Sequence, residues 1–505
     1  MILESEERAS SIPGFDHSYA RLGGLFSTPQ PLDPVSDPGL IFWNRRLADQ
    51  LGWPGNPLTD PHQLGALAGN QLLNNSQPIA TVYAGHQFGQ YNPQLGDGRA
   101  TLLGEWITPD GKRVDVQLKG AGPTPYSRGG DGRAPLGPVV REYVVSEAMS
   151  ALGVPTSRAL AAVSTGEPVI RNRVEQGAIL TRVASSHLRV GTIQFFAMTR
   201  GGEGLESLVK YAVARHFADS QDSGTATADP NPALTLLEGV CQHFARLVAH
   251  WQVLGFVHGV LNTDNALLCG ETVDFGPCAF MDHFDPQASF SSIDRQGRYA
   301  WHNQPGIMHW NLAVLAECLL PLIDDSADTA REIAQTVVDR YPEVFHAQHQ
   351  YWLAAKLGMD AIGEADAALV QGFHNALATE KLDFTLAFRW LTERANGNLE
   401  HSPLPELFTA PPSLHDWAAL WDERRKLNSG DQQLITSNMY RVNPAIIPRN
   451  HLVQRAIDAV ESGNLQWAQK LVDRVASPFE WQSGDDEWAR APSERERVTQ
   501  TFCGT

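Results

Sequence analysis

HGVLNTDNALLCGETVDFG, residues 258–276, holds two short patterns: His258-Gly259-Val260-Leu261-Asn262-Thr263-Asp264-Asn265 and, nine residues beyond Asn265, Asp274-Phe275-Gly276. An Asn amide oxygen and an Asp carboxylate are the hard donors that a divalent cation such as Mg²⁺ prefers. Directly upstream, PALTLLEGVCQHFARLVAHWQVLG (232–255) opens on Pro, closes on Gly and carries apolar residues at helical spacing. That reads as a long helix delivering the loop. Downstream, GIMHWNLAVLAECLLPLI (306–323) is apolar nearly all round, as a buried central helix should be, and HLVQRAIDAVESGNLQWAQKLVDRV (451–475) reads as a helix–turn–helix pair.

The texture before residue 219 is different. KRVDVQLK (112–119) places Val114, Val116 and Leu118 on one face of a strand. PLGPVVREYVVSEAMSALG (135–153) follows as a helix, with Pro138 in its first turn and Gly153 at its stop. SRALAAVS (157–164) and GAILTRVA (177–184) are two more strand candidates. The outline is α+β and two-lobed. Residues 1–80 are expected to be loops and short helices wrapping the rest, 81–218 a strand-rich lobe, and 219–232 a polar mobile loop. Residues 233–430 are expected to form a helical lobe, and 431–505 a helical extension with a loosely held tail.

Composition narrows the function classes. The 505 residues are 42% hydrophobic, enough for a substantial core, and carry a formal charge of −18, which disfavours nucleic acid and anionic membrane as partners. Any basic pocket must be local. Before residue 200 the only lysines are Lys112 and Lys119, so a lysine ending an apolar strand stands out. The first fifteen residues are acidic without an apolar run, no 18-residue apolar stretch occurs, and the five cysteines form no C-x-x-C pair. A cytoplasmic protein without a membrane span is expected. His243, His250 and His258 lack the companions at ligand spacing that a zinc site needs.

There is no G-x-x-x-x-G-K-[ST], G-x-S-x-G, H-E-x-x-H or EF-hand loop, and Gly96-Asp97-Gly98 and Gly120-Ala121-Gly122 do not extend to a dinucleotide fingerprint. Three separated pieces fit one template instead. Val116-Gln117-Leu118-Lys119 is similar to the protein-kinase strand whose Lys holds phosphates and pairs with a helix Glu, here Glu142 or Glu147. HGVLNTDN matches the kinase catalytic loop at His258, Leu261 and Asn265, and Asp274-Phe275-Gly276 matches its metal-binding triplet. Val260 stands where a kinase has its Asp base, and Gly259 where it has Arg. On these residues three readings stay open: a nucleotide-gated pseudokinase scaffold, a kinase with a displaced base, and a kinase-like enzyme doing other phosphate chemistry.

Longer blocks carry a more specific resemblance: GQYNPQLGDGRA (89–100), VQLKGAGPTPYSRGGDGRAPLGPVVREY (116–143), ILTRVASSHLRVGTIQFF (179–196), HGVLNTDN (258–265), DFGPCAFMD (274–282) and NPAIIPRNH (443–451). With these the chain resembles the selenoprotein O (SelO/YdiU) family of kinase-like protein adenylyltransferases. The resemblance implies a protein-kinase-like fold binding ATP in a flipped orientation, and transfer of AMP to Ser, Thr or Tyr hydroxyls of proteins with release of pyrophosphate. On matching positions it implies that Gly96, Gly98, Arg99, Asp131 and Gly132 line the nucleotide, while Lys119 holds phosphate and pairs with Glu142. It further implies that Arg182 and Arg189 bind phosphates, that Asn265 and Asp274 ligate Mg²⁺ (Mn²⁺ being the alternative), and that Asp264 accepts the proton. A regulatory disulfide from a C-terminal cysteine is also implied; Cys503 suits one end, and Cys278 is the sole cysteine of 276–299.

Overall fold

The computed structural model describes residues 14–218, 231–482 and 484–502. Period-two alternation makes Arg113–Lys119 a strand, with Val116 and Leu118 fully buried. It pairs antiparallel with Ala100–Ile107 on one side and Val174–Ala184 on the other, so Lys119 sits opposite Ala100 and Leu180. The sheet runs Ser27–Pro29, Ile79–Thr81, Ala100–Ile107, Arg113–Lys119, Val174–Ala184, Arg158–Ile170, Gly39–Trp43. Gly14–Asp16 and Ala134–Pro135 pair beside this path.

Both faces are covered. Val116, Leu118 and Ile179 pack with Leu47, Leu51 and Leu67 of two short helices, Arg45–Leu51 and Pro61–Leu67. The opposite face takes the helix Leu136–Ala151, whose Val140, Tyr143 and Val144 meet Phe42, Ala162 and Leu180. Each fully buried aliphatic or aromatic side chain contributes roughly 1.5–3 kcal/mol. Residues 14–80 therefore do more than wrap: they supply four strands of this sheet, each three to five residues long. Segments so short show no readable alternation, and the partners that make them strands lie elsewhere in the chain.

The second half is helical. Pro232–Leu254 starts on Pro, is capped by the Asn231 side chain and stops at Gly255. It feeds a two-residue strand, Phe256–Val257, which pairs antiparallel with Ala279–Phe280. That bridge pins both ends of the segment carrying the two polar patterns. Most of the expected polar loop, residues 219–230, lies outside the described residues.

Gln304–Ile323 packs against Pro232–Leu254 and Ala327–Asp339. Among the described residues, Trp301–Ile323 is long and apolar enough to cross a membrane by those two measures, with half of its most apolar window buried in the protein. Leu312, Leu315 and Leu319 lie in the core, and Asn311 donates to the Leu261 carbonyl at 3.2 Å. It is a core helix here. The C-terminal pair, Asn450–Glu461 and Leu465–Val475, packs back onto Leu136–Ala151, where Arg141 donates to Asn450 at 3.0 Å. The whole is mixed α+β, an antiparallel sheet followed by helices.

Candidate active site

Strand parity builds the first part of the site. Residues on the Arg113–Lys119 strand that alternate with the apolar ones are Asp115, Gln117 and Lys119, all buried. Lys119 Nζ donates to Glu142 Oε2 at 2.6 Å and to Asp274 Oδ1 at 2.9 Å. Arg182, from the adjacent strand, donates through Nε to Glu142 Oε1 at 2.8 Å and through Nη2 to Asp274 Oδ1 at 2.7 Å. Arg189 reaches Asp274 Oδ2 at 3.2 Å, and its guanidinium lies 4.7 Å from the Tyr83 ring centroid. Of the two helix glutamates, Glu142 is the lysine's partner. Glu147 binds Arg158 bidentately and accepts from Asn44.

Three cations thus converge on two carboxylates in a buried setting. Burial works to raise the Asp274 carboxyl, but Lys119, Arg182 and Arg189 outweigh it and hold the group well below the usual carboxylate range. Glu142 is also lowered: burial opposes ionisation, and Arg182 and Lys119 overcome it. Asp274 itself sits at φ +63°, a left-handed conformation that Asp tolerates better than bulkier residues.

The loop 258–265 is held from behind. His258 is fully buried, its Nε2 2.9 Å from the Val273 carbonyl oxygen, so it braces the loop and faces no ligand. Gly259 is at φ +84°, and a Cβ there would lie 2.6 Å from the Pro277 carbonyl, which leaves no room for a side chain such as arginine. Asn265 Nδ2 donates to the Val260 carbonyl at 2.9 Å. Asp264 is buried; Oδ2 accepts from Gln87 Nε2 at 3.0 Å while Oδ1 has no hydrogen-bond partner. Burial pushes this carboxyl up to about 6, against the Gln87 hydrogen bond and Arg189.

The Lys119, Glu142 and Asp274 cluster, Arg182, Arg189 and the Asp264–Asn265 end of the loop open into one cleft of about 670 Å³. Gly96, Gly98, Arg99, Asp131 and Gly132 line it together with Lys119, Glu142, Arg182, Arg189, Asp264, Asn265 and Asp274. The structure therefore brings every sequence-predicted site residue to a single hollow. Seven basic side chains face five carboxylates across its lining, a local basic balance on a chain of net charge −18. Gly132 is at φ +64°, and a Cβ there would sit 2.0 Å from the Gly122 carbonyl oxygen, so the turn closes only with glycine. Asp131 is held bidentately by Arg171 at 2.8 and 2.9 Å.

Several lining or supporting residues escape the sequence reading, among them Tyr83, Gln87, Gln117 and Arg171. Gln117, which accepts from Arg182 at 3.4 Å, was findable from its parity with Lys119. Tyr83, Gln87 and Arg171 sit in turns and edges with no motif. Cys278 is buried, its thiol 3.1 Å from the Phe275 carbonyl, and Cys503 lies outside the described residues. Among the described residues no three His, Cys, Asp or Glu side chains gather to hold a metal. The oxygen donors of Asn265 and Asp274 remain the candidate pair.

The family model described as "Protein adenylyltransferase SelO" matches residues 13–476. A "Protein nucleotidyltransferase YdiU" of Rhodopseudomonas palustris (strain BisB5) is 50% identical over 492 residues, covering 97% of this chain and 99% of the relative. Proteins of the same name from Rhizobium rhizogenes (strain K84) and Maridesulfovibrio salexigens are 49% and 46% identical, with at least 98% of each chain covered. Matched over more than nine-tenths of its length by the family model and near half-identical to these relatives from end to end, the chain belongs to the SelO family of protein adenylyltransferases.

Proposed function

We propose that this enzyme uses ATP to attach AMP to Ser, Thr or Tyr hydroxyls of proteins, on a protein-kinase-like framework of a strand-rich and a helical lobe. One observation carries the reading: Lys119, Glu142 and Asp274 form a single contact group in a cleft where Val260 replaces the kinase base and another carboxylate, Asp264, lines the wall.

The target hydroxyl attacks the α-phosphorus, the bond to the bridging oxygen breaks, and pyrophosphate leaves with the charge developed on it. Lys119, Arg182 and Arg189 sit where they can bind phosphate oxygens. Glu142 and Asp274 hold these three side chains in place, so little reorganisation accompanies charge development. Asp264 takes the proton of the attacking hydroxyl. A basic cleft on an acidic surface favours a triphosphate over other regions of the protein.

The donor set suits a hard cation. The Asn265 nitrogen is committed to Val260, which leaves its amide oxygen as the ligating end beside the Asp274 carboxylate. Asn265 and Asp274 would hold Mg²⁺, or Mn²⁺, and the bound ion would neutralise phosphate charge.

Incubation with ATP labelled at the α- or the γ-phosphate tests the reading. Protein labelled from the α position alone is the expected result. Label from γ alone would make the enzyme a kinase, and no label despite ATP binding would make it a nucleotide-gated scaffold.

A further inference from the structure

We infer that Gln87 is a positioning residue for AMP transfer, holding the Asp264 carboxylate in the orientation that receives the hydroxyl proton. This rests on the reading of Asp264 as the proton acceptor. An Asp carboxylate turns easily about its terminal torsion, which has broad minima. At Asp264 one oxygen has no hydrogen-bond partner, and the other accepts from Gln87 Nε2 at 3.0 Å. The donor is a neutral amide, so it orients the group without the full positive charge that an Arg or Lys would place on a base.

Gln87 is itself immobilised from both sides. It ends the first strand of a small hairpin, Gly85–Gln87 paired with Gln90–Asn92. The His86 amide donates to Thr263 Oγ1 at 2.7 Å, and the Phe88 amide donates to Asn262 Oδ1 at 3.2 Å. The residues flanking Gln87 are thus bonded to the two residues preceding Asp264. At Gly85 a Cβ would lie 2.5 Å from Asp264 Oδ1, so the hairpin backbone closes against the unpartnered oxygen as well. Gly85 and Gln87 of one hairpin thus lie against the two oxygens of the carboxylate.

The test compares Gln87→Leu and Gln87→Asn, the second keeping the amide but drawing it back by one methylene, in the full-length enzyme with α-labelled ATP and a protein acceptor. Both should lower kcat by about 10- to 100-fold, the range for a misplaced reacting group, while the KM for ATP and ATP binding stay within about twofold. Gln90→Ala, on the exposed strand of the same hairpin, should turn over like the parent. On the residual activity of Asp264→Asn, adding Gln87→Leu should cost nothing further, since the two changes disable one device. Parental kcat in both Gln87 variants, an effect confined to KM, or an equal loss on the Asp264→Asn background would each overturn the inference. Full turnover by Asp264→Asn alone would instead overturn the assignment of the base. Folding is checked by the thermal midpoint and ATP affinity, which must match the parent in at least one Gln87 variant.

Discussion

Asp274 answers to three cations at once, and its removal has two separable effects. Asp274→Ala should abolish transfer, and it should also leave Lys119 and Arg182 with Glu142 as their one shared carboxylate and take from Arg189 its ion-pair partner in the cluster. Unpaired buried charge of this kind costs about 3–5 kcal/mol. The variant should therefore melt well below the parent, and ATP should raise its midpoint by more than it raises the parent's because the triphosphate restores negative charge. Equal melting points would show that the cluster is less tightly coupled than its distances indicate. Lys119→Ala should weaken ATP binding, read by titration calorimetry, while Glu142 keeps Arg182 as partner. Lys119 was legible as one of two lysines before residue 200, and Asn265 and Asp274 because they fell at fixed spacing. Tyr83 and Gln87 were not, since each acts through a contact that only the folded chain creates.

Elements bounded by Pro or Gly were the most legible, whereas the strand read at 157–164 runs on to Ile170 and the one read at 177–184 begins at Val174. The reading of 112–119 as a strand and of 135–153 and 232–255 as helices agrees with the observed Arg113–Lys119, Leu136–Ala151 and Pro232–Leu254 to within two residues at each end. Pro and Gly mark those ends through backbone sterics. The short strands of 14–80 carry no such marks and depend on pairing with distant segments. Between elements, Arg449 has no exposed surface; Nη1 lies 2.6 Å from Asp282 and Nη2 lies 2.9 Å from Asp383. Asp383 also caps the helix Phe384–Ala395 by accepting from the Leu386 amide at 2.8 Å. Arg449→Met should leave the buried Asp383 and the half-buried Asp282 uncompensated and destabilise the protein by about 3–5 kcal/mol in urea unfolding. A change below about 0.5 kcal/mol, typical of a surface substitution, would refute that account.

The whole molecule joins an acidic exterior to a basic cleft, and its helical half contains a buried lysine. Lys356, on the helix Tyr341–Leu357, has no carboxylate within ion-pair distance among the described residues; Nζ lies 4.2 Å from the Phe388 ring centroid and 3.4 Å from the Val442 carbonyl. Burial pushes its ammonium down to about 7 from 10.5. Between those values the unfolded chain binds the proton and the folded one does not, so folding stability rises with pH across that window by up to about 1.4 kcal/mol per unit. Below about 7 both states are protonated and this contribution is flat. Lys356→Met should remove the slope and stabilise the protein most on the acidic side. Denaturant midpoints of parent and variant at several pH values check this, and parallel profiles would sink it.

The bridge between Phe256–Val257 and Ala279–Phe280 closes the intervening chain into a ring, with Asp264, Asn265 and Asp274 all inside it. A ring fastened by main-chain bonds cannot loosen one residue at a time. Deuterium should enter the amides of 258–278 as a block, after the clasp at its neck has opened. The proton acceptor and the candidate cation ligands thereby share one opening free energy, and a substitution that frays the clasp would disturb all three together.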